Sequence, residues 1–190
     1  IGRMCRHWHW FHFFGGTRVN FYWRGYYPAN RLQPGKSFCA ELGNLSGGTR
    51  NGGARTCAYY YGIDDVACFS GGTEATAFNP RAVNAMQDAG FEITKTKEGE
   101  NPVYEVRFAE RADPVIAFSK KYDDPFNHNK DFAAIMTCSH ADENCPLVLG
   151  ASARIALTYD DPKEFDGTPQ EAAKYADRVQ QIGREIFYAF

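Results

Sequence analysis

From residue 58 onward the chain alternates short apolar runs with amphipathic stretches, and nearly every run is closed by a turn residue. That alternation is the strongest constraint on its fold, because apolar runs separated by helical segments build a parallel sheet with helices packed against it. Val66-Ala67-Cys68-Phe69-Ser70 is one such run, ended by Gly71-Gly72. Phe132-Ala133-Ala134-Ile135-Met136-Thr137-Cys138 is a second, ending on a cysteine, and Arg154-Ile155-Ala156-Leu157-Thr158-Tyr159 a third, running into Asp160-Asp161-Pro162. A first strand belongs upstream, and spacing back from Tyr59-Tyr60-Tyr61-Gly62 puts the loop that follows it near residues 38–47. Val103–Phe108 alternates and reads as a half-exposed strand, whereas Pro114–Ser119 is more uniformly apolar, as a central strand would be.

Two helices carry local signals. Asn79 can cap, Pro80 occupies the first helical position where no N–H is needed, and Gly90 can take the left-handed stop. Val83, Met86 and Phe91 are then expected in the core. Thr168-Pro169-Gln170-Glu171 reads as a capping box, followed by a stripe of Tyr175, Val179, Ile182 and Ile186 at helical spacing.

Residues 1–57 differ from the rest. They hold Arg3, Arg6, Arg18, Arg24, Arg31, Lys36, Arg50 and Arg55 against the single acid Glu41, and crowd aromatics and glycines without a sustained period. The whole chain nevertheless has a net charge of only −2, which gives no electrostatic reason to expect nucleic acid. No run approaches the ~18 uninterrupted apolar residues of a membrane span, and the aromatic start does not read as a secretion signal. The expected organisation is an N-terminal extension over 1–35 and one domain over 36–190, with a cytoplasmic location and no membrane partner. His7, His9 and His12 read as surface or packing residues rather than a metal site.

Six cysteines in 190 residues, with no CxxC pair, are neither a disulfide framework nor a zinc signature. Cys138, His140 and Cys145 lack a fourth ligand at zinc-like spacing, so no metal is expected. Cys138 and Cys145 lie seven residues apart, and a disulfide between them needs a looped-out segment. Asp161 precedes a proline that keeps it out of helical geometry. It reads either as a turn aspartate or as a general acid delivering a proton to a leaving oxygen.

Ser70-Gly71-Gly72-Thr73-Glu74, then Asn79-Pro80-Arg81-Ala82-Val83, then Cys138-Ser139-x-Ala141-Asp142-x-Asn144-Cys145-Pro146, then Asp160-Asp161-Pro162 together resemble the low-molecular-weight tyrosine phosphatase fold, and within it the thioredoxin-coupled arsenate reductase branch. The resemblance covers about residues 58–190. It implies an α/β fold, a four-stranded mostly parallel sheet flanked by helices in a flavodoxin-like three-layer arrangement, with a small β insertion near 101–124. It further implies a thiol relay in which Cys138 is the second attacking thiol and Cys145 the resolving one, with Asp161 as acid and a thioredoxin-like reductant as partner. No cofactor is implied beyond a bound phosphate, sulfate or arsenate. The family's anion loop places arginine six residues after its cysteine, and no cysteine here has that neighbour. Cys39 is the nucleophile candidate, with Gly43, Asn44, Ser46 and Arg50 as candidate anion-binding residues. Gly47–Gly53 is a poor helix former after such a loop. A dithiol suits arsenate, whose reduction needs two electrons. A phosphotyrosine or phosphomonoester phosphatase needs only one thiol and an acid, and a non-catalytic oxyanion- or partner-binding module on the same scaffold is the third reading.

Overall fold

A computed structural model describes residues 37–41, 46–63, 66–127, 129–137 and 148–189. Its first strand, β1 (Ser37–Glu41), lies between β2 (Ala67–Gly71) and β6 (Phe132–Met136), and β6 pairs in turn with β7 (Ala151–Ala156). All three pairings are parallel, in register from Ser37 opposite Ala67 and Phe132 to Glu41 opposite Gly71 and Met136. Four strands therefore end along one edge, where ligands collect in open parallel sheets.

β7 starts and stops three residues earlier than the apolar pattern suggests, at Ala151 and Ala156. Residues beyond Ala156 still follow β6: Leu157 N–H donates to the Met136 carbonyl at 2.8 Å and Tyr159 N–H to the Thr137 carbonyl at 2.9 Å. Ahead of β7, Gly150 has φ +85°, and a Cβ there would fall 1.9 Å from the Asn129 carbonyl oxygen. Only glycine fits that turn.

Helix α1 (Ser46–Tyr61) covers the whole glycine-rich stretch expected to resist helix formation. The reason is tertiary. A Cβ on Gly52 would sit 3.0 Å from Phe91 Cε1, and one on Gly53 would sit 3.4 Å from Ile186 Cδ1. Gly52 lets the α1 backbone approach Phe91 closely, while Gly53 meets Ile186 at near-ordinary contact distance, and the packing of α1 outweighs a propensity cost of about 1 kcal/mol per glycine. Tertiary contacts decide here.

α2 (Pro80–Asp88) follows its local signals closely. The Asn79 side chain accepts from Arg81 N–H at 2.9 Å, Pro80 opens the helix, and Gly90 takes φ +100° after it. Val83, Met86 and Phe91 are buried as expected. The last helix, α3 (Glu171–Ala189), buries Tyr175, Val179 and Ile182, with Ile186 half-buried. Its entry is a variant of the expected box: Glu171 Oε2 accepts from Gly167 N–H at 2.6 Å, and Thr168 Oγ1 accepts from Gln170 N–H at 3.3 Å.

The small β unit expected over 101–124 begins earlier, at Glu92, and its last strand ends at Ala117. It is an antiparallel sheet of β3 (Glu92–Lys97), β4 (Val103–Arg107) and β5 (Val115–Ala117), with β4 in the middle. β3 was invisible to hydrophobic pattern because Glu92, Thr94, Lys95, Thr96 and Lys97 all face solvent. β5, the more apolar run, is a three-residue edge strand rather than a central one. Tyr104, Val106 and Val115 from this sheet join Phe78, Val83, Met86, Phe91, Tyr175 and Val179 in one core cluster. A second cluster of Phe132, Ala134, Met136 and Val148 lies on the parallel sheet. Among the described residues no helix is long and apolar enough to cross a membrane.

Candidate functional site at the strand ends

Residues 138–147 lie outside the described residues, so Cys138, His140 and Cys145 do too, as do Gly43, Asn44 and the histidines at 7, 9 and 12. What is described is the frame around them. Cys39 stands within β1, two residues before its end, opposite Phe69 and Ala134. The expected loop region 38–47 is thus mostly taken up by the end of β1 and the start of α1, and residues 42–45 between them lie outside the described residues. Ser46 is the first residue of α1 and Arg50 lies one turn further along it.

Thr137, the residue before Cys138, is buried at the end of β6. Its carbonyl accepts the Tyr159 N–H, so the chain approaching Asp161 runs beside the chain approaching Cys138. Asp161 is exposed and caps a 3-10 turn (Pro162–Phe165), its Oδ1 accepting from Lys163 N–H at 3.1 Å. It sits five residues beyond the end of β7 rather than directly on a strand tip.

The segment 157–166 is fastened to α3 at both ends. At the near end the Tyr159 hydroxyl donates to the Glu185 carboxylate. The Arg178 guanidinium lies 5.6 Å from the Tyr159 ring centroid and 3.7 Å from Asp160 Oδ2. Arg178 also donates to Gln181 Oε1 at 2.7 Å, and Gln181 Nε2 to Glu185 Oε1 at 3.0 Å. At the far end the Tyr175 hydroxyl donates to Asp166 Oδ1 at 2.9 Å and accepts from Asn79 Nδ2 at 3.2 Å. Burial, and next the bond to Asp166, push the Tyr175 hydroxyl up to about 12; the Asp161 carboxylate adds to the effect. Arg81 Nε closes the cluster, 2.8 Å from Glu171 Oε2 and 3.5 Å from Asp166 Oδ1. The Gly167 N–H, and after it the Arg81 guanidinium, hold the Glu171 carboxyl below the usual carboxylate range.

Sequence reading missed Tyr159 and the Asn79–Tyr175–Asp166 link. The available signal was a hydroxyl-bearing residue inside an apolar helical stripe: a tyrosine fully buried there needs a partner for its O–H. Among the described residues no group of three metal-ligating side chains gathers.

The comparisons with known proteins agree with this frame. No protein-family model matches the chain. An arsenate reductase of Bacillus licheniformis is 30% identical over 124 residues, covering 65% of this chain and 73% of that protein. One of Halalkalibacterium halodurans is 27% identical over 124 residues, with the same coverage. Among solved structures, a low-molecular-weight phosphotyrosine phosphatase from Vibrio cholerae O395 superposes with a TM-score of 0.51 at 12% identity, covering 81% of this chain and 92% of its own. Primo-1 does so with a TM-score of 0.52 at 11% identity, covering 80% and 94%. Those two likenesses show an α/β fold of the low-molecular-weight phosphatase kind. With its strand-end frame and the arsenate reductases that share its sequence, the chain belongs to the arsenate reductase family.

Proposed function

We propose that this protein reduces arsenate by a thiol relay at the C-terminal edge of the parallel sheet. The observation that supports the reading best is the bond from Tyr159 N–H to the Thr137 carbonyl, which sets the approach to Asp161 beside the approach to Cys138. The β1 end that follows Cys39 lies in register with the β6 end, Glu41 opposite Met136.

In this reading the Cys39 thiolate bonds to arsenic, and Asp161 protonates the departing hydroxide to water. The Cys138 thiolate then attacks the Cys39 sulfur. A disulfide forms, the S–As bonding pair stays with arsenic, and As(V) leaves as As(III). Cys145 attacks Cys138, releasing Cys39 and leaving a Cys138–Cys145 disulfide, which a thioredoxin-like dithiol reduces. Cys39 lies in a strand whose backbone groups pair on both sides, so it cannot cradle the anion itself. That task falls to Gly43, Asn44, Ser46 and the guanidinium of Arg50. No resident cofactor takes part.

Arsenate-dependent thiol oxidation tests this directly. Turnover should stop in both Cys138→Ser and Cys145→Ser, and normal turnover in both removes the relay. The phosphatase-type fold supports a second reading, hydrolysis of phosphomonoesters, which uses one thiol and Asp161. An aryl phosphate hydrolysed at full rate by Cys138→Ser would favour it.

A further inference from the structure

We propose that Tyr159 is a positioning residue that sets where Asp161 stands relative to the end of β6; this rests on the proposed role of Asp161 as general acid. Tyr159 is tied in three directions. Its N–H is bonded to Thr137 at the end of β6, its hydroxyl to Glu185 on α3, and its ring lies beneath Arg178. Asp161 follows two residues later, and two residues span at most about 7 Å of chain. Tyr159 thus anchors one end of the short span that carries the Asp161 carboxylate. Asp161 is itself exposed, its carboxylate accepting from Lys163 N–H of the turn it caps.

The hydroxyl matters more here than the nearby ion pair. Asp160 is fully exposed and 3.7 Å from Arg178, a geometry that contributes little in water. The Tyr159 bond is to a carboxylate, and charge-assisted bonds of that kind are roughly twice as strong as neutral ones. Glu185 is in turn held by Gln181, which Arg178 supports. α3 therefore presents a prepared acceptor to Tyr159. Displacement of an acid by about 1 Å can cost up to a hundredfold in rate.

The experiment is single-turnover oxidation of the protein's thiols by inorganic arsenate, recorded across an arsenate series. Tyr159→Phe should lower the rate at saturation about tenfold and leave the half-saturating arsenate concentration within about twofold. Glu185→Gln keeps an acceptor and should stay near the parent rate, whereas Glu185→Ala should resemble Tyr159→Phe. The deciding variant is the double, Tyr159→Phe with Asp161→Asn. If Tyr159 acts through Asp161, the double is no slower than Asp161→Asn alone, because coupled residues do not add. A purely structural Tyr159 slows both backgrounds by the same factor, and that result overturns the inference. So does a saturating rate unchanged in Tyr159→Phe while Asp161→Asn is slow. An Asp161→Asn variant as fast as the parent instead removes the acid reading itself, and the positioning role with it.

Discussion

Asn79 and Tyr175 are separated by 96 residues and meet at 3.2 Å, the Asn79 amide donating to the Tyr175 hydroxyl. The other end of the same amide accepts the Arg81 N–H and caps α2. One side chain thus begins a helix and ties it to α3. Asn79→Ala should lower stability by about 1–3 kcal/mol, combining a lost cap with loss of the bond that the buried Tyr175 hydroxyl accepts. Asn79→Ser keeps a cap but does not reach Tyr175, so its loss should be smaller. Urea unfolding of the two variants checks the order, and equal losses would mean that the cap contributes nothing and the bond to Tyr175 alone matters.

Tyr175 gives the fold an alkaline limit. An unfolded tyrosine ionises near 10.0, while burial and the Asp166 bond push Tyr175 up to about 12 in the native state. Between those values the native chain holds a proton that the unfolded chain has released. Stability from this group is therefore full below about pH 10 and lost as pH rises toward about 12. Tyr175→Phe should be less stable at neutral pH, by about 1–2 kcal/mol, yet show a flatter decline across that alkaline window. Chemical unfolding at several pH values measures both effects. A decline as steep in the variant as in the parent would assign the alkaline limit elsewhere.

Two glycine substitutions should act in opposite directions. Gly53→Ala places a methyl 3.4 Å from Ile186 Cδ1, a contact that a small shift of a flexible side chain relieves, and improves helix propensity. It should raise stability by up to about 1 kcal/mol. Gly150→Ala meets the Asn129 carbonyl oxygen at 1.9 Å and strains a left-handed residue besides. It should lower stability by more than about 2 kcal/mol. Melting temperatures of both variants provide the comparison.

Cys57 should be chemically silent. It is fully buried on α1, and burial, reinforced by Cys68, pushes its thiol up to about 12. At pH 8 the thiolate fraction is on the order of one in ten thousand. Iodoacetamide followed by peptide mapping should find Cys57 unmodified in the native protein and modified in denaturant. Rapid native labelling would show that α1 opens locally.

What could be read from sequence was what local chemistry decides. Asn79, Pro80 and Gly90 define α2 because a cap, a missing N–H and a left-handed residue need no distant partner. α1 was read wrongly because its packing, with Gly52 pressed against Phe91, lies in distant contacts that no local pattern shows. β3 escaped because it exposes nearly every side chain and so carries no alternation of burial. At the site, Asp161-Pro162 was legible as a break after a strand. The part played by Tyr159 was not, since its partners Thr137 and Glu185 come from opposite sides of it in the chain.

The small antiparallel sheet has a consequence for any attempt to trim the molecule. Tyr104 and Val106 sit against the same cluster as Met86 and Tyr175, and Phe78 meets Tyr104 edge-on at 5.6 Å. Excising it to obtain a minimal scaffold would strip the cover from α2 and uncork the very tyrosine that holds Asp166. What looks like an ornament on the α/β body is a wall of it.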